Sequence, residues 1–332
     1  MRLRKAVPLV AALLAIAACG TATEPEKAAV PAPVSADELA AVTLKVGDQK
    51  GGSKSLLAAA GLLDDLPYKI EWATFTSGPP LLEAVSAGGV HIGRVGNTPP
   101  IFAAAAKAKI AVVSSSKGNV ESDAILVPPD SPVRSVQDLK GRTIGVAKGS
   151  SAHGQVLYTL RAAGLSTKDV TLSFLQPADA YGAFNQNQID AWAVWDPYTS
   201  QAKLESKARV LTDGTGIANG YSFLVAGTDA LSDAGVNSAL HDYVLRHAKA
   251  ERWADTHRAE WAQAWAKETG LSIEVARSAV DTGPDLPVSL DDEVVRSEQE
   301  LADAFTADGV LPGKVDFARF VDRRYVNDID KG

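Results

Sequence analysis

Asp190-Ala191-Trp192-Ala193-Val194-Trp195-Asp196-Pro197-Tyr198 is the stretch on which the fold turns. Ile189, Ala191, Ala193 and Trp195 recur at period two, the spacing of a strand, in which alternate side chains share a face. The strand stops at Asp196-Pro197. Asp is a good N-cap because its carboxylate accepts from the free amides of a first turn. Pro suits the first helical position, where an N–H has no partner. A strand that runs straight into a helix predicts an α/β unit. Trp195 then stands at the carboxyl end of a strand beside a helix N-terminus, where ligands bind in open α/β sheets. A Trp buried in the sheet core is the plain alternative.

The same alternation runs on both sides of this stretch. Strands are expected at 42–47, 68–75, 90–95 and 110–114, with helices after the first three. A further strand at 124–127 is followed by Pro128-Pro129, and a crossover is placed there. The rhythm restarts with strands at 143–147 and 170–175, the stretch above, and Val210-Leu211. Residues 221–226 form the return crossover. From Asp229 the pattern is helical: Leu240, Tyr243, Val244, His247 and Ala248 follow the 3.6-residue period. Trp261 and Trp265 lie one turn apart. Both sets read as core, with His247 a packed histidine. Glu260, Glu268 and the charged stretch 291–303 read as solvated helix faces.

The expectation is an α/β fold of two lobes, each a mostly parallel sheet flanked by helices, with two crossovers. Lobe I takes 42–122 and 223–332, and lobe II takes 123–222. A cleft between lobes is a natural ligand site.

The chain has 332 residues, 46% of them apolar and 22% charged, with a net charge of −7. That is a globular composition, and it excludes a general nucleic-acid binder, which needs a concentrated basic face. Met1-Arg2-Leu3-Arg4-Lys5 is basic, and the apolar run 6–18 is too short to be a stable span, so 1–18 is expected to be an export signal. Small residues lead to the sole cysteine in Ile16-Ala17-Ala18-Cys19-Gly20. This resembles the lipobox of bacterial lipoproteins, which implies a lipid on Cys19 and an extracytoplasmic, membrane-anchored chain. Residues 19–41, rich in Ala, Pro, Glu and Ser, read as a flexible tether. With one cysteine, no disulfide holds the fold.

Five segments at strand-to-helix junctions share one chemistry. They are 49–53, 77–79, 96–99, 149–153 and 195–197, mostly small, polar and Gly-rich. Helix N-termini present free N–H groups and about half a positive charge, and Ser and Thr hydroxyls add donors. Several converging ends make an anion site without cationic side chains. One such junction means little, because capping residues at helix starts are ordinary; five together favour binding. Signals for catalysis are poor. Gly-x-Ser-x-Gly is absent, no pair among the five histidines has zinc-like spacing, and no Gly-rich phosphate loop ends in Lys-Ser/Thr. His153 is the one candidate base near Ser150 and Ser151, and no acid is evident to orient it.

The chain resembles the solute-binding proteins of bacterial ABC importers for aliphatic sulfonates, in a wider group that includes taurine, nitrate and thiamine-precursor binders. The resemblance rests on Gly47-x-Gln49-Lys50-Gly51, Ser77-Gly78-Pro79-x-Leu81-Leu82-Glu83-Ala84, and Gly96-Asn97-Thr98-Pro99-Pro100-Ile101-Phe102-Ala103. It continues through Asp138-Leu139-Lys140-Gly141, Lys148-Gly149-Ser150-Ser151-Ala152-His153, Pro177-Ala178-Asp179-Ala180 and the 190–198 stretch. It implies the type II periplasmic-binding-protein fold, closure on a ligand and delivery to permease subunits, by a monomer without cofactor or metal. It places the sulfonate against Gln49, Gly78, Asn97, Thr98, Ser150, Ser151 and His153, with Trp195 and Asp196 walling the cleft. Asn97 is a departure, since many members of the family carry Asp there. Arg94 is unexpected and is read as facing solvent. Trp195 and Phe75 are expected to pack an alkyl tail, and Asp196 or Glu83 to meet the ammonium if the ligand is taurine. A desulfinase shares the fold in this group but uses a cleft cysteine, which this chain lacks.

Overall fold

The computed structural model describes residues 29–331. The expected signal 1–18, Cys19 and the first part of the tether lie outside the described residues.

Two sheets divide the chain. The first has six strands in the order β11-β4-β10-β3-β1-β2. In chain order these are β1 (Thr43–Gln49), β2 (Lys69–Phe75), β3 (Ile92–Gly96), β4 (Ile110–Lys117), β10 (Tyr221–Gly227) and β11 (Leu286–Val288). The second has five, in the order β7-β6-β8-β5-β9. They are β5 (Ala124–Val127), β6 (Thr143–Val146), β7 (Thr171–Phe174), β8 (Ala191–Val194) and β9 (Arg209–Asp213). The chain passes between the sheets at 118–123 and 214–220.

β1 is parallel to β2 and β3, and β6 to β7 and β8. The strands reached through the crossovers, β5 and β10, run against both of their neighbours. Four strands in each sheet therefore share one direction, while the crossover strands make both sheets mixed.

Helices join these strands: α2 (Gly52–Ala59), α3 (Gly78–Ser86), α4 (Thr98–Ala105), α5 (Ser151–Ala162), α6 (Pro177–Asn185) and α7 (Tyr198–Glu205). Period-two burial shows why the strands are strands. In β10, Phe223 and Val225 face one apolar cluster, and Leu224 and Ala226 face another. In β8, Ala191 and Ala193 face one cluster, and Trp192 and Val194 the other. Ile189 precedes the strand and packs on the Trp192 side, so it does not share the face of Ala191.

After β10 the chain is mostly helical: α8 (Thr228–Ser232), α9 (Ala234–Thr256), α10 (Arg258–Thr269), α11 (Ile273–Asp281), α12 (Asp292–Ala307) and α13 (Val326–Ile329). Leu240, Tyr243, Val244 and Ala248 of α9 cover one face of the first sheet. Leu301, Ala302 and Phe305 of α12 cover the other.

Two boundaries differ from the sequence expectation. The helix after Trp195 begins at Tyr198, with Pro197 in the cap position. Asp196 still closes that end, because its Oδ1 accepts from Ser200 N at 2.8 Å. Within the expected tether, α1 (Ala36–Ala40) is a helix. Ser35 and Glu38 form a capping box, Leu39 packs on the α9 cluster, and Val34 N donates to Ser238 Oγ at 3.2 Å. A single apolar residue in a polar setting carries no period, so the sequence hides this helix.

The lobes touch beside the cleft. A Cβ on Gly96 would lie 2.9 Å from Ser151 Cβ, and one on Gly154 would lie 2.4 Å from Thr98 Oγ1. Only glycine permits these approaches. Thr76 Oγ1 and Ser77 Oγ each donate to Gln176 Oε1 at 2.9 Å, joining the end of β2 to the start of α6.

Candidate functional site

A cavity of about 210 Å³ lies between the lobes. It is formed where β1, β3 and β8 end and where α3, α4 and α5 begin, because each strand hands the chain to a helix on the same edge of its sheet. Gln49, Gly78, Asn97, Ser150, Ser151, Trp195 and Asp196 all line it. Helix starts that converge on one space aim several free amides at it, which suits an anion.

The side chains there are partly committed. Gln49 Nε2 donates to Arg94 O at 2.7 Å, and Ser150 Oγ donates to Ala147 O at 2.7 Å. Ser151 Oγ stands 3.4 Å from Asp123 Oδ1, a long contact that leaves its hydroxyl free to turn to a ligand. Gly78 has no room for a side chain, since a Cβ would meet Pro99 Cγ at 2.6 Å.

Thr98 and His153, expected at the ligand, lie behind the lining. Thr98 is fully buried, and its Oγ1 donates to Asn97 Oδ1 at 2.9 Å. His153 Nδ1 accepts from Gly149 N at 3.1 Å. Its ring sits 5.2–5.7 Å from those of Phe102, Phe174 and Phe305, and its Nε2 has no partner. Burial pushes its pKa down to about 4, so the ring is neutral and packs as an aromatic between the lobes. On α5 it is two residues into the helix and packs away from the cleft. Phe75 and Glu83 are not in the lining; Phe75 packs on the α12 cluster and Glu83 is exposed.

Arg94 lines the cavity instead of facing solvent. Its guanidinium pairs with Asp285, and its Nε lies 3.5 Å from Glu251 Oε1. The Ser116 hydroxyl donates to Glu251, its Oγ lying 2.8 and 2.9 Å from the two carboxylate oxygens, and Glu251 faces His247 Nδ1 at 3.5 Å. His247 Nε2 stands 3.3 Å from Ser53 Oγ. This polar chain runs along the lobe I wall. It is invisible in sequence because its members come from α2, β3, β4, α9 and the segment before β11.

Trp261 and Trp265 of α10 also reach the cavity. Their rings stack with 5.5 Å between centroids, and Trp265 Nε1 donates to Lys50 O at 2.9 Å. His247, Trp261 and Trp265 were assigned to core by helical period, which does not say whether a buried face meets sheet or cleft.

Five carboxylates line the space: Asp48, Asp123, Asp196, Glu251 and Asp285. Burial pushes Asp123 up to about 7, with Asp285 and Asp196 adding to the shift. Burial raises Asp196 as well, and pushes Asp48 up to about 6. Among the described residues no group of His, Cys, Asp and Glu is arranged to hold a metal ion.

Two mixed sheets flanked by helices, two crossovers and a cleft at the strand ends define a solute-binding protein of the periplasmic-binding-protein fold. Residues 79–238 match the family model NMT1/THI5 like. An Escherichia coli (strain K12) protein named for binding aliphatic sulfonates is 38% identical over 278 residues, covering 82% of this chain and 86% of the relative. The alkanesulfonate-binding protein SsuA of Xanthomonas axonopodis pv. citri, solved bound to MOPS, superposes with a TM-score of 0.76. It is 33% identical over 85% of this chain and 98% of its own. The periplasmic aliphatic sulphonate binding protein SsuA of Escherichia coli gives a TM-score of 0.73 at 36% identity, over 85% and 92%. The chain belongs to the aliphatic sulfonate-binding family.

Proposed function

We propose that the chain captures an aliphatic sulfonate in the cleft and delivers it to the permease subunits of an ABC importer. The observation that carries this reading is the convergence of the starts of α3, α4 and α5 on one end of the cavity, with Asn97 and Ser151 beside them. A sulfonate is a monoanion at any physiological pH and has three acceptor oxygens. Neutral N–H and O–H donors satisfy it without a counter-ion. Trp195, Trp261 and Trp265 supply the apolar wall that a tail needs.

The same reading makes the chain a binder and not an enzyme. Its sole cysteine is residue 19, and among the described residues that line the cleft none supplies a thiol for desulfinase-like chemistry. It also makes Cys19 a lipid attachment after removal of 1–18, with the two lobes working as an anchored monomer outside the cytoplasm.

Asp196, on the cleft wall, favours one variant of the ligand, an aminosulfonate such as taurine, whose ammonium would meet its carboxylate. Thermal unfolding with ethanesulfonate, longer alkanesulfonates, taurine, nitrate and a thiamine-like pyrimidine tests both. A ligand at about 100 times its Kd adds about 2.7 kcal/mol, enough to raise Tm by about 2 °C or more. Shifts with alkanesulfonates alone support the first reading. A larger shift with taurine selects the second, and a shift with only nitrate or the pyrimidine overturns both.

A further inference from the structure

Asn97 has little left to offer a ligand. Its Nδ2 donates to Asn219 Oδ1 at 2.8 Å, and its Oδ1 accepts from the Thr98 hydroxyl at 2.9 Å. A carboxamide carries two N–H donors, so one N–H remains at a residue that lines the cavity. Asn219 lies in the second crossover. Its Nδ2 donates to Glu298 Oε1 at 2.7 Å and to Ser297 Oγ at 3.0 Å. Both of its N–H groups are thus used on α12, which turns its Oδ1 the other way. There it accepts from Asn97 Nδ2 and, at 3.2 Å, from Tyr221 N. Glu298 is fully buried, and its Oε2 has no partner.

We infer that Glu298, acting through Asn219, and Thr98 together fix the Asn97 carboxamide so that it meets the ligand as a hydrogen-bond donor. Both are positioning residues, and neither lines the cavity. The inference rests on the reading that an anion sits at this end of the cleft. The direction of the chain follows from its far end. Glu298 Oε1 is an acceptor whether the carboxyl is ionised or carries its proton on Oε2. Burial pushes this group up to about 8, so the proton is held at neutral pH. A reversed Asn97 would set its oxygen against Asn219 Oδ1 and its NH2 against a hydroxyl that would have to turn from donor to acceptor. Its cleft side would then lose the N–H an anion requires.

The test is isothermal titration of the full chain with hexanesulfonate, alongside the side-chain amide NMR signals of Asn97 and Asn219. Glu298→Gln keeps a carbonyl oxygen at the Oε1 position, so affinity within about threefold of wild type and unmoved Asn97 signals are expected. Glu298→Met keeps the volume and removes the acceptor, and Thr98→Val keeps the shape and removes the donor. Each is expected to weaken binding by about tenfold or more, with the Asn97 signals displaced. Wild-type affinity in Glu298→Met, or a loss in Glu298→Gln as large as in Glu298→Met, overturns the inference. If Glu298→Met does not fold, Asn219→Ala carries the same expectation with Glu298 in place. If the wild type binds no alkanesulfonate, the functional reading falls. The relay is still decided by whether the Asn97 signals move in Glu298→Met and stay in Glu298→Gln.

Discussion

Asp123 sets a condition on the ligand that its neighbours do not. It stands 3.4 Å from Ser151 Oγ, at the end of the cleft where helix starts converge, and makes no ion pair within 4 Å among the described residues. Asp285 and Asp196 face it, and burial holds its proton up to about pH 7. A fixed monoanion beside Ser151 therefore meets a neutral acid below pH 7 and a like charge above it. Alkanesulfonate Kd should rise as pH increases from about 6 to about 8, and Asp123→Asn should flatten that rise; titration calorimetry across the range checks both. Ser151→Ala should weaken binding at pH 6 by about 1.5–3 kcal/mol, the scale of a hydrogen bond to a charged group.

Glu298 shows linkage of the same direction, here on stability. Its folded pKa of about 8 lies above the ordinary 4.5, so the folded chain keeps a proton that the unfolded chain releases. The unfolded state binds fewer protons between these values, and stability falls as pH rises through that window. Glu298→Gln carries no such charge. Its Tm relative to wild type should be higher at pH 8 than at pH 5, which scanning calorimetry at the two values reads directly.

At the scale of elements, α5 is one of the pieces through which lobe II meets lobe I. Its Gly154 leaves 2.4 Å between an added Cβ and Thr98 Oγ1, with Leu301 of α12 behind. Gly154→Val would force these helices apart. A loss of about 1–3 kcal/mol, read by denaturant unfolding, is expected from overpacking.

This scale also shows what the sequence could reveal. The α/β rhythm is legible in the sequence, and so are seven residues that the fold brings to the cavity wall. Period-two runs and capping residues are local signals, and the strand ends bring the junctions together without further instruction. The remainder depends on which face of a helix looks inward. Thr98 and His153 fall in the junction motifs, yet the first helical turn rotates each away from the cleft. Trp261 and Trp265 read as core and Glu298 as part of a solvated face, and nothing local in the sequence lays α10 against α2 or α12 against the second crossover. Arg94 is the second residue before the end of β3 and looked like a surface charge. Its partners Glu251 and Asp285 lie far along the chain, so no spacing rule links them.

For the whole molecule, the lobes meet at more than the crossovers. His153 lies among rings from both lobes, Thr167 hydrogen-bonds Asp308, and Lys50 of lobe I stands 5.2 Å over the Tyr198 ring of lobe II. Gln176 accepts from Thr76 and Ser77 between the lobes. If the lobes separate, these contacts part and the crossovers are the covalent joints that remain. That makes Gln176 a timing element. Gln176 and its two hydroxyl donors do not line the cavity, so bonds that hold the lobes together there act on arrival and departure alike and leave the ratio of the two rates much less changed. Gln176→Ala should speed both by several-fold in stopped-flow Trp fluorescence, while Kd moves by less than either rate. A carrier that releases its load to a membrane protein needs a dwell time longer than its search for that protein and shorter than the cell's demand for the solute. A pair of hydrogen bonds between the lobes and outside the cavity lining is a place where that interval can be adjusted without rebuilding the pocket.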